Sequence, residues 1–341
     1  MEIERASLIE GSVAQSNDDS SGSQRLRRKS PYSELTKSAT SFLKEHTAYD
    51  MIPVSSRLIV LDTKLLVTKA LSVLLQNGID STPMWDSETS AYAGMLTTTD
   101  LVNLIQYYYA NFSLADALDN LNEIQLDNYQ GLLKRYKSRD TNTLCANPLE
   151  TLYDISKRIL YTDYSALALV DEDKDTGAQV VVSMLSIYQI LNFMAMNFSE
   201  KKQMKRYSLY DLNIGTYGNL VTATLSTSVI DIVNLFVENN ISVVPILNEE
   251  GAVINAFAES DIMHLIREGY LAELDMPVSQ AIANRPDDYP GVHTCKSTDT
   301  LFSVLGILRK TRLRRLIVVD DNTFPQGVIT LSDVLRAFIA E

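Results

Sequence analysis

Cysteines and long apolar runs are scarce in this 341-residue sequence. Its two cysteines, Cys145 and Cys295, lie far apart, which suits a reducing compartment better than a disulfide framework. No apolar run reaches the roughly 18 residues that indicate a membrane-spanning helix. The first residues include Glu2, Glu4 and Glu10 and no apolar core, so we expect no secretory signal there.

Positive charge is also in short supply, since 30 Lys and Arg residues face 43 Asp and Glu residues and leave a net charge of −13. Such a chain makes a poor nucleic-acid surface, because contacts with phosphates supply most of the affinity there. The three histidines are scattered, and the sequence has neither a Gly-rich phosphate loop nor Cys–His metal spacing. We therefore predict no nucleic-acid or membrane partner, no metal site, no cofactor and no catalytic activity.

One motif, in contrast, is present in four copies. Each copy has a short apolar strand, a hydroxyl-rich corner, a polar residue and an apolar helix. The copies occupy residues 94–105, 183–194, 255–266 and 327–338. The polar residue is an aspartate in three copies and Gln189 in the second. Four copies of one pattern predict four structural repeats.

Each motif is preceded by an amphipathic helix and a short apolar strand. The spacing of apolar residues predicts these helices at 64–78, 148–160, 228–240 and 298–310. Strands that are apolar throughout, as buried strands are, follow at 81–86, 166–171, 242–248 and 315–320. The predicted fold class is therefore α/β, built from four α+β repeats.

Two stretches lie outside this pattern. Residues 1–36 are poor in apolar side chains, so we expect a disordered tail. Within that tail, 25–30 resembles a basophilic kinase site with Ser30 as the acceptor, although a solvated run of charges is the simpler explanation. The longer interval between the first two motifs predicts linker helices within 111–140.

The repeat unit resembles a cystathionine-beta-synthase (CBS) domain, and four in tandem resemble the gamma subunit of AMP-activated protein kinase in its fungal form. The stretches that carry this resemblance are 41–46, 49–53, 55–60, 82–86, 215–217, 291–295 and 318–321. The resemblance implies two paired (Bateman) modules in a disc-like, pseudo-symmetric arrangement. The implied segments are a docking segment at 37–48 and CBS domains at 49–110, 141–198, 210–270 and 285–341.

The resemblance also implies clefts that bind AMP, ADP or ATP. One carboxylate can accept hydrogen bonds from both ribose hydroxyls, and we expect that role for Asp261, Asp333 and Asp100. An aspartate in this position also fits a simple helix cap. Hydroxyls beside the acids can contact phosphate or ribose, or satisfy the helix end themselves. These are Thr97, Thr99, Ser260, Thr330 and Ser332, and Met95 joins the candidates of the first repeat.

Further implied ligands lie at the start of the third repeat and in a basic cluster of the fourth. Thr216, Asn219 and the Val221 backbone are expected to share a nucleotide pocket with Asp261. Five of the seven residues in 309–315 are basic. Two of them, Arg314 and Arg315, match family positions that face phosphates, and the planar guanidinium suits that role. The alternative is a solvated basic face.

Two departures from the family pattern concern the first half of the chain, whereas Gln189 matches the family, whose second repeat also lacks the aspartate. Asp80 stands where the family has an arginine, and Ser165-Ala166 replaces a His-Arg pair of the vertebrate form. We expect weaker or absent nucleotide binding by the first pair of repeats and retained binding by the second pair. Gln189 cannot supply a ribose-binding carboxylate, so the second repeat's own site is expected to be empty.

The resemblance implies a non-catalytic regulatory subunit of a heterotrimeric, energy-sensing Ser/Thr kinase in the cytoplasm and nucleus, active in the response to glucose starvation. Its implied partners are a catalytic alpha subunit and a scaffolding beta subunit, with 37–48 adding a strand to the beta subunit. An ordinary lead-in helix is the alternative for that segment. The alternatives for the whole chain are a stand-alone CBS nucleotide sensor and a scaffold with partly degenerate sites.

Overall fold

The computed structural model describes residues 31–55, 57–112, 123–128, 145–162, 164–286, 289 and 291–339. The predicted phosphorylation site at Ser30 and most of the predicted linker helices lie outside these residues. Within them, no helix combines the length and the apolar character that crossing a membrane requires.

The first described element corrects the predicted tail. Helix α1 spans Pro31–Glu45, so the segment expected to be disordered up to residue 36 is helical from Pro31 onward. Leu35, Ala39 and Leu43 recur at helical spacing and are fully buried. They join the core formed by the second and fourth repeats. The predicted docking segment is thus mostly a packed helix, as in the alternative, and its addition to a sheet of the beta subunit stays a prediction.

The four repeats have the same order of elements. In each, a very short strand precedes a helix, then two strands form a hairpin, and a second helix follows. The first repeat contains β1 (Leu61–Asp62), α2 (Val67–Asn77), β2 (Ser81–Asp86), β3 (Ala91–Thr97) and α3 (Thr98–Asn111). The second contains β4 (Cys145–Ala146), α4 (Leu152–Thr162), β5 (Ala166–Glu172), β6 (Gln179–Ser186) and α5 (Ile187–Asn197).

A short helix, α6 (Lys201–Arg206), and strand β7 (Thr216–Tyr217) lead into the second half. The third repeat contains β8 (Ala223–Thr224), α7 (Val229–Asn239), β9 (Val243–Leu247), β10 (Val253–Ala258) and α8 (Glu259–Arg267), and α9 (Val278–Ala283) follows it. The fourth contains β11 (Thr294–Cys295), α10 (Leu301–Thr311), β12 (Arg315–Val319), β13 (Pro325–Thr330) and α11 (Leu331–Phe338).

Within each repeat the first strand pairs parallel to the second, and the second pairs antiparallel to the third. The sheets are β1-β2-β3, β4-β5-β6, β8-β9-β10 and β11-β12-β13-β7. Three helices that precede a hairpin end in a left-handed residue, at Gly78, Asn240 and Arg312. Such caps satisfy the last carbonyls of a helix and turn the chain sharply into the next strand.

Two hydrophobic cores hold the repeats together through their helices. One core joins the first and third repeats and includes Phe257. The other joins the second and fourth repeats and includes Phe338. Each core therefore takes one repeat from each half of the chain.

Strands and an adjoining turn make further contacts between repeats. The first and second repeats meet where the Tyr92 backbone N–H donates to Gln179 Oε1 at 3.0 Å. The third and fourth meet where the Val253 N–H donates to the Thr323 carbonyl at 3.0 Å. Each repeat thus contacts one neighbour through helices and another through strands, and the contacts form a closed ring.

Candidate functional site

A cavity of about 210 Å³ lies where all four repeats meet, and we call it the central cavity. Every repeat contributes residues to its lining. The first half contributes Asp80 and 97–100 from the first repeat, and Tyr164, Ser165 and Ile187 from the second. The second half contributes Asn240, Ser242 and Glu259 from the third repeat, and Arg314, Arg315 and 330–332 from the fourth. The first residues of α3, α5, α8 and α11 are among these. A helix N-terminus favours negative charge through its exposed N–H groups and its dipole, so the backbone here suits an anion.

The aspartates of the repeated motif cap these helices. The Thr97 N–H donates to Asp100 Oδ2 at 2.9 Å, and the Thr330 N–H donates to Asp333 Oδ2 at 2.9 Å. Gln189 performs the same role, because its Oε1 accepts from the Ser186 N–H at 2.8 Å. Capping therefore needs no negative charge at this position. The ribose role of the acids remains a prediction.

Asp261 differs from the other two acids. Both of its carboxylate oxygens accept from Arg285, Nε to Oδ1 at 2.8 Å and Nη2 to Oδ2 at 2.8 Å. The two side chains are only 6% and 2% exposed, for Arg285 and Asp261 respectively. A ribose at Asp261 would have to displace this buried guanidinium. Asp333 has a much weaker contact, 3.6 Å from its Oδ1 to Nη1 of the largely exposed Arg336.

Arg285 was not among the predicted site residues, because it has no basic neighbours that would indicate a functional cluster. Its Nη1 also donates to Asn255 Oδ1 at 2.8 Å, and its guanidinium lies 4.2 Å from the centre of the Tyr289 ring. These contacts tie α8 to the segment that enters the fourth repeat. The position of Arg285 could have indicated this role, because an arginine shortly before one repeat lies within reach of the motif of the preceding repeat.

The structure corrects the expected grouping of Thr216 with Asp261. Thr216 pairs with Val328 on β13, the strand that leads to Asp333. A Cβ at Gly215 would lie 2.8 Å from Ile329 Cγ1, so the close approach of the two strands requires glycine there. Asn219 has a left-handed φ of 40°, whereas Val221 packs against the core of the first and third repeats. The segment at Thr216 therefore lies beside the motif of the fourth repeat and not beside that of the third.

The reciprocal arrangement produces a second cavity, also about 210 Å³, which we call the side cavity. Its lining combines Ala256, Ala258 and Ser260 of the third repeat with Tyr289 and 291–293 from the entry to the fourth. It shares Asp80, Thr98, Glu259, Arg314 and Arg315 with the central cavity, so the two adjoin. The side cavity also has apolar walls at Val243, Val292 and Ile317.

Arg314 and Arg315, the predicted phosphate ligands, line both cavities. Arg315 Nη1 donates to Ser242 Oγ at 2.8 Å and to the Ser242 carbonyl. Arg314 Nη2 forms an ion pair with Asp80. The basic cluster thus faces the place where the repeats meet, and its two cavity-facing arginines already have partners from other repeats.

Two carboxylates share the cavities with these arginines. Glu259 is buried, and its Oε2 accepts from Thr99 Oγ1 at 2.9 Å. Burial raises the pKa of Glu259 above its usual 4.5, while Thr99 and the two arginines oppose that shift. Neither Glu259 nor the contact of Asp80 with an arginine of the fourth repeat was predicted from the sequence. Weaker nucleotide binding by the first pair of repeats stays a prediction.

The first-repeat candidates divide into two groups. Thr97, Thr99 and Asp100 line the central cavity, and their contact with a nucleotide stays a prediction. Met95 is buried with Ala168 and Val170 between the first two sheets, so its side chain serves packing there.

The family model described as "CBS domain" matches residues 216–268 and 288–340, which are most of the third and fourth repeats. The 5'-AMP-activated protein kinase subunit gamma of Saccharomyces cerevisiae is 40% identical over 88% of this chain and 92% of its own length. The chain belongs to that gamma-subunit family. The corresponding subunit of Kluyveromyces lactis is 39% identical over 86% of this chain and 89% of its own.

A solved structure supports the same fold for the gamma-subunit family. A protein of Methanocaldococcus jannaschii, described as an archaeal homologue of the gamma subunit, has a TM-score of 0.65 and 16% identity, covering 86% of this chain and 99% of that one. This likeness confirms the predicted fold. Family membership confirms the predicted CBS repeats and the prediction of a non-catalytic kinase subunit. The first two repeats keep the fold although the CBS family model matches only the last two.

Proposed function

We propose that this chain is the nucleotide-sensing gamma subunit of a heterotrimeric Ser/Thr kinase, and that AMP, ADP or ATP binds where the central and side cavities adjoin. One observation carries the proposal: two adjacent arginines, Arg314 and Arg315, face a cavity lined by all four repeats. Arginine engages phosphate oxygens through paired, charge-assisted hydrogen bonds.

The two cavities suit different parts of a nucleotide. The central cavity offers Arg315, the hydroxyls of Thr99 and Ser332, and helix N-termini, all of which favour phosphate. The side cavity offers apolar walls and the ring of Tyr289, which favour the base. Ligand pockets typically combine such apolar walls with a few well-placed polar groups.

A ribose position lies at Asp333 in this proposal. Thr216 is held beside β13, and Thr330 and Ser332 begin the helix that Asp333 caps. Asp333 is better suited than Asp261, because its contact with Arg336 is long and exposed. We assign Asp261 to the support of α8 through Arg285.

Regulation follows from the position of the cavity. A ligand among all four repeats contacts elements from both cores, so it can favour one arrangement of the repeats over another. It does so only to the extent that its affinity differs between the two arrangements. We propose that this difference alters contacts with the catalytic alpha and scaffolding beta subunits, in the cytoplasm and nucleus.

Calorimetric titration of AMP, ADP and ATP into the purified chain tests the site. We expect wild type to bind, and Arg315→Ala to bind at least about tenfold more weakly because a charge-assisted phosphate contact is lost. Arg267→Ala is the matched control, since Arg267 is exposed and pairs with Glu268 at the far end of α8. Equal binding by wild type and Arg315→Ala would show that the site is assigned wrongly.

Co-purification from cell extract tests the partners separately. We expect the tagged chain to retain a Ser/Thr kinase subunit and a non-catalytic scaffold subunit. A chain that binds nucleotides and never retains a kinase would instead be a stand-alone sensor.

A further inference from the structure

We infer that Glu259 takes up a proton when a nucleotide binds in the central cavity, so that nucleotide affinity falls as pH rises. This inference rests on the proposed nucleotide site and adds regulation by pH to it. The observations that carry it are the burial of Glu259, its contact with the first repeat and its position beside the predicted phosphate ligands.

Glu259 is a buried carboxyl group that faces both cavities. It is 6% exposed and lines the central and the side cavity. It is the first residue of α8, where a helix N-terminus favours negative charge. Its Oε2 accepts from Thr99 Oγ1 at 2.9 Å, which joins the third repeat to the first. Asp261 on the same helix is paired with Arg285, so Glu259 is the acid of α8 that a ligand in these cavities meets.

The groups around Glu259 act on its charge in opposite directions. Besides Arg314 and Arg315, the charged or titratable residues that line the two cavities are Asp80, Asp100, Arg312, Tyr164, Tyr289 and His293. Burial raises the pKa of Glu259 above its usual 4.5, and the charge of Asp100 adds to that effect. Thr99 and the two arginines oppose it. A further anion in the cavity would act in the same direction as burial.

A bound phosphate supplies that anion and uses the same groups as Glu259. In the proposed site it contacts Arg315 and the Thr99 hydroxyl, so it competes with Glu259 for both. Two anions that share a site raise the pKa of one of them. A protonated carboxyl group also has an O–H to donate, either to a phosphate oxygen or to Thr99 Oγ1, whose own hydrogen then serves the phosphate. The protonated form of Glu259 therefore suits the bound state better than the carboxylate does.

The direction of the pH effect follows from linkage. Because the bound phosphate raises the pKa of Glu259 further, the complex keeps the proton up to a higher pH than the free chain does. Below both pKa values the acid is protonated throughout, and affinity is highest. Between them affinity falls by up to about tenfold per pH unit. Above both it stays at its lower value.

Calorimetric titration of AMP into the full chain and its Glu259→Gln variant, from about pH 5 to about pH 8, tests the inference. The glutamine resembles the protonated acid in size and in hydrogen bonding and does not titrate. We expect the two proteins to bind AMP nearly equally at the lowest pH, and wild type to bind about tenfold more weakly at the highest. The phosphate of AMP titrates at about pH 6 as well, but this effect is common to both proteins and cancels in their ratio.

Two further readouts detect the proton itself. Titrations at neutral pH in two buffers of different ionisation enthalpy count the protons bound, and wild type should take up to about one proton more per AMP than the variant. An infrared difference spectrum of wild type with and without AMP should gain a carboxylic-acid C=O band, a result that does not depend on the variant.

Glu268→Gln is the matched control. Glu268 directly follows the last residue of α8, is half-exposed, pairs with Arg267 and is not among the residues that line the cavities. The same chemical change at the other end of the helix should leave the affinity at its wild-type value at every pH. Thermal unfolding of both variants checks that they fold.

The outcomes separate the inference from the proposed function. If wild type and Glu259→Gln share one pH dependence and one proton uptake, Glu259 does not titrate on binding and the inference is overturned, while the nucleotide site stands. If folded Glu259→Gln loses binding at every pH, the carboxylate is the binding form, which also overturns the inference. If no protein binds AMP at any pH, the proposed function itself is overturned, and the inference with it.

Discussion

The two halves of the chain differ in the charges that they contribute to the cavity that they share. The second half supplies both arginines, Arg314 and Arg315, together with Glu259, whereas the first half supplies the acid Asp80 and the Thr99 hydroxyl that donates to Glu259. The halves also differ in similarity to the CBS family model, which matches only the third and fourth repeats. The first half has thus diverged without becoming irrelevant, because its residues determine the charge that the arginines of the second half present.

The largest effects should come from the two cores, each of which joins one half to the other. Phe257 and Phe338 are both fully buried, one in each core. Substitution of either by alanine should reduce the free energy of unfolding by about 3–5 kcal/mol, because a large side chain is lost and a cavity remains. Chemical denaturation measures this. A much smaller loss for Phe257→Ala would indicate that the core of the first and third repeats is the weaker one.

The matched control for the cores is Phe302→Ala. Phe302 is 37% exposed and lies on α10 beneath Lys205. We expect a loss of about 1 kcal/mol or less, as for most partly exposed sites.

A sharper comparison concerns the two equivalent acids of the second half. Arg285→Ala would leave Asp261 buried without its cation and should cost about 3 kcal/mol, since an unpaired buried charge is strongly unfavourable. Arg336→Ala removes an exposed contact with Asp333 and should cost at most about 1 kcal/mol. Equal losses in thermal unfolding would contradict the supporting role that we assign to Asp261.

Much of each repeat could be predicted from local sequence. The apolar strands lie close to the predicted bounds, and Gly78 and Asn240 end their helices because both residues adopt left-handed conformations readily. Arg312 adopts the same conformation without that advantage, so its helix end has no local signal. Local periodicity also indicated which face of each helix is buried.

Contacts between repeats could not be predicted in the same way. Periodicity does not say which repeat covers an apolar face, so the pairing of Thr216 with Val328 and the ion pair of Asp80 with Arg314 were both missed. Buried Glu259 resembles any surface acid at a helix start until its neighbours are known. The sequence therefore predicted individual residues of the site, but only in part which of them lie together.

An effect of intermediate size is expected at two equivalent helix caps, one in each half of the chain. Substitution of either cap should lower stability, but only one substitution should lower nucleotide affinity. Ser186 and Thr330 make the same capping bonds, and only Thr330 is among the residues that line the central cavity. Alanine at either position should cost about 1 kcal/mol of stability. Nucleotide affinity, measured by calorimetry, should fall for Thr330→Ala alone. A matching loss for Ser186→Ala would mean that the two caps affect ligand binding equally and that the position of Thr330 in the cavity lining does not matter.

The smallest effect is expected for Glu259→Gln. Its melting temperature should differ from that of wild type by less than about 2 °C, and the difference should depend on pH. Burial raises the pKa of Glu259 above 4.5 in the folded state, so the folded chain binds this proton more tightly than the unfolded chain. The wild-type contribution to stability therefore falls as pH rises from 4.5 through the folded pKa. Glutamine imitates the protonated acid, so the variant should match wild type below pH 4.5 and melt slightly higher at neutral pH.

Asp211→Asn is the control of opposite sign, because hydrogen bonds from Ser208 hold the pKa of Asp211 below its usual 3.8. That variant should melt lower than wild type at neutral pH, and the difference should vanish as pH falls through the folded pKa of Asp211. A neutral-pH loss of stability in Glu259→Gln would mean that attraction to Arg315 outweighs the cost of burying the charge.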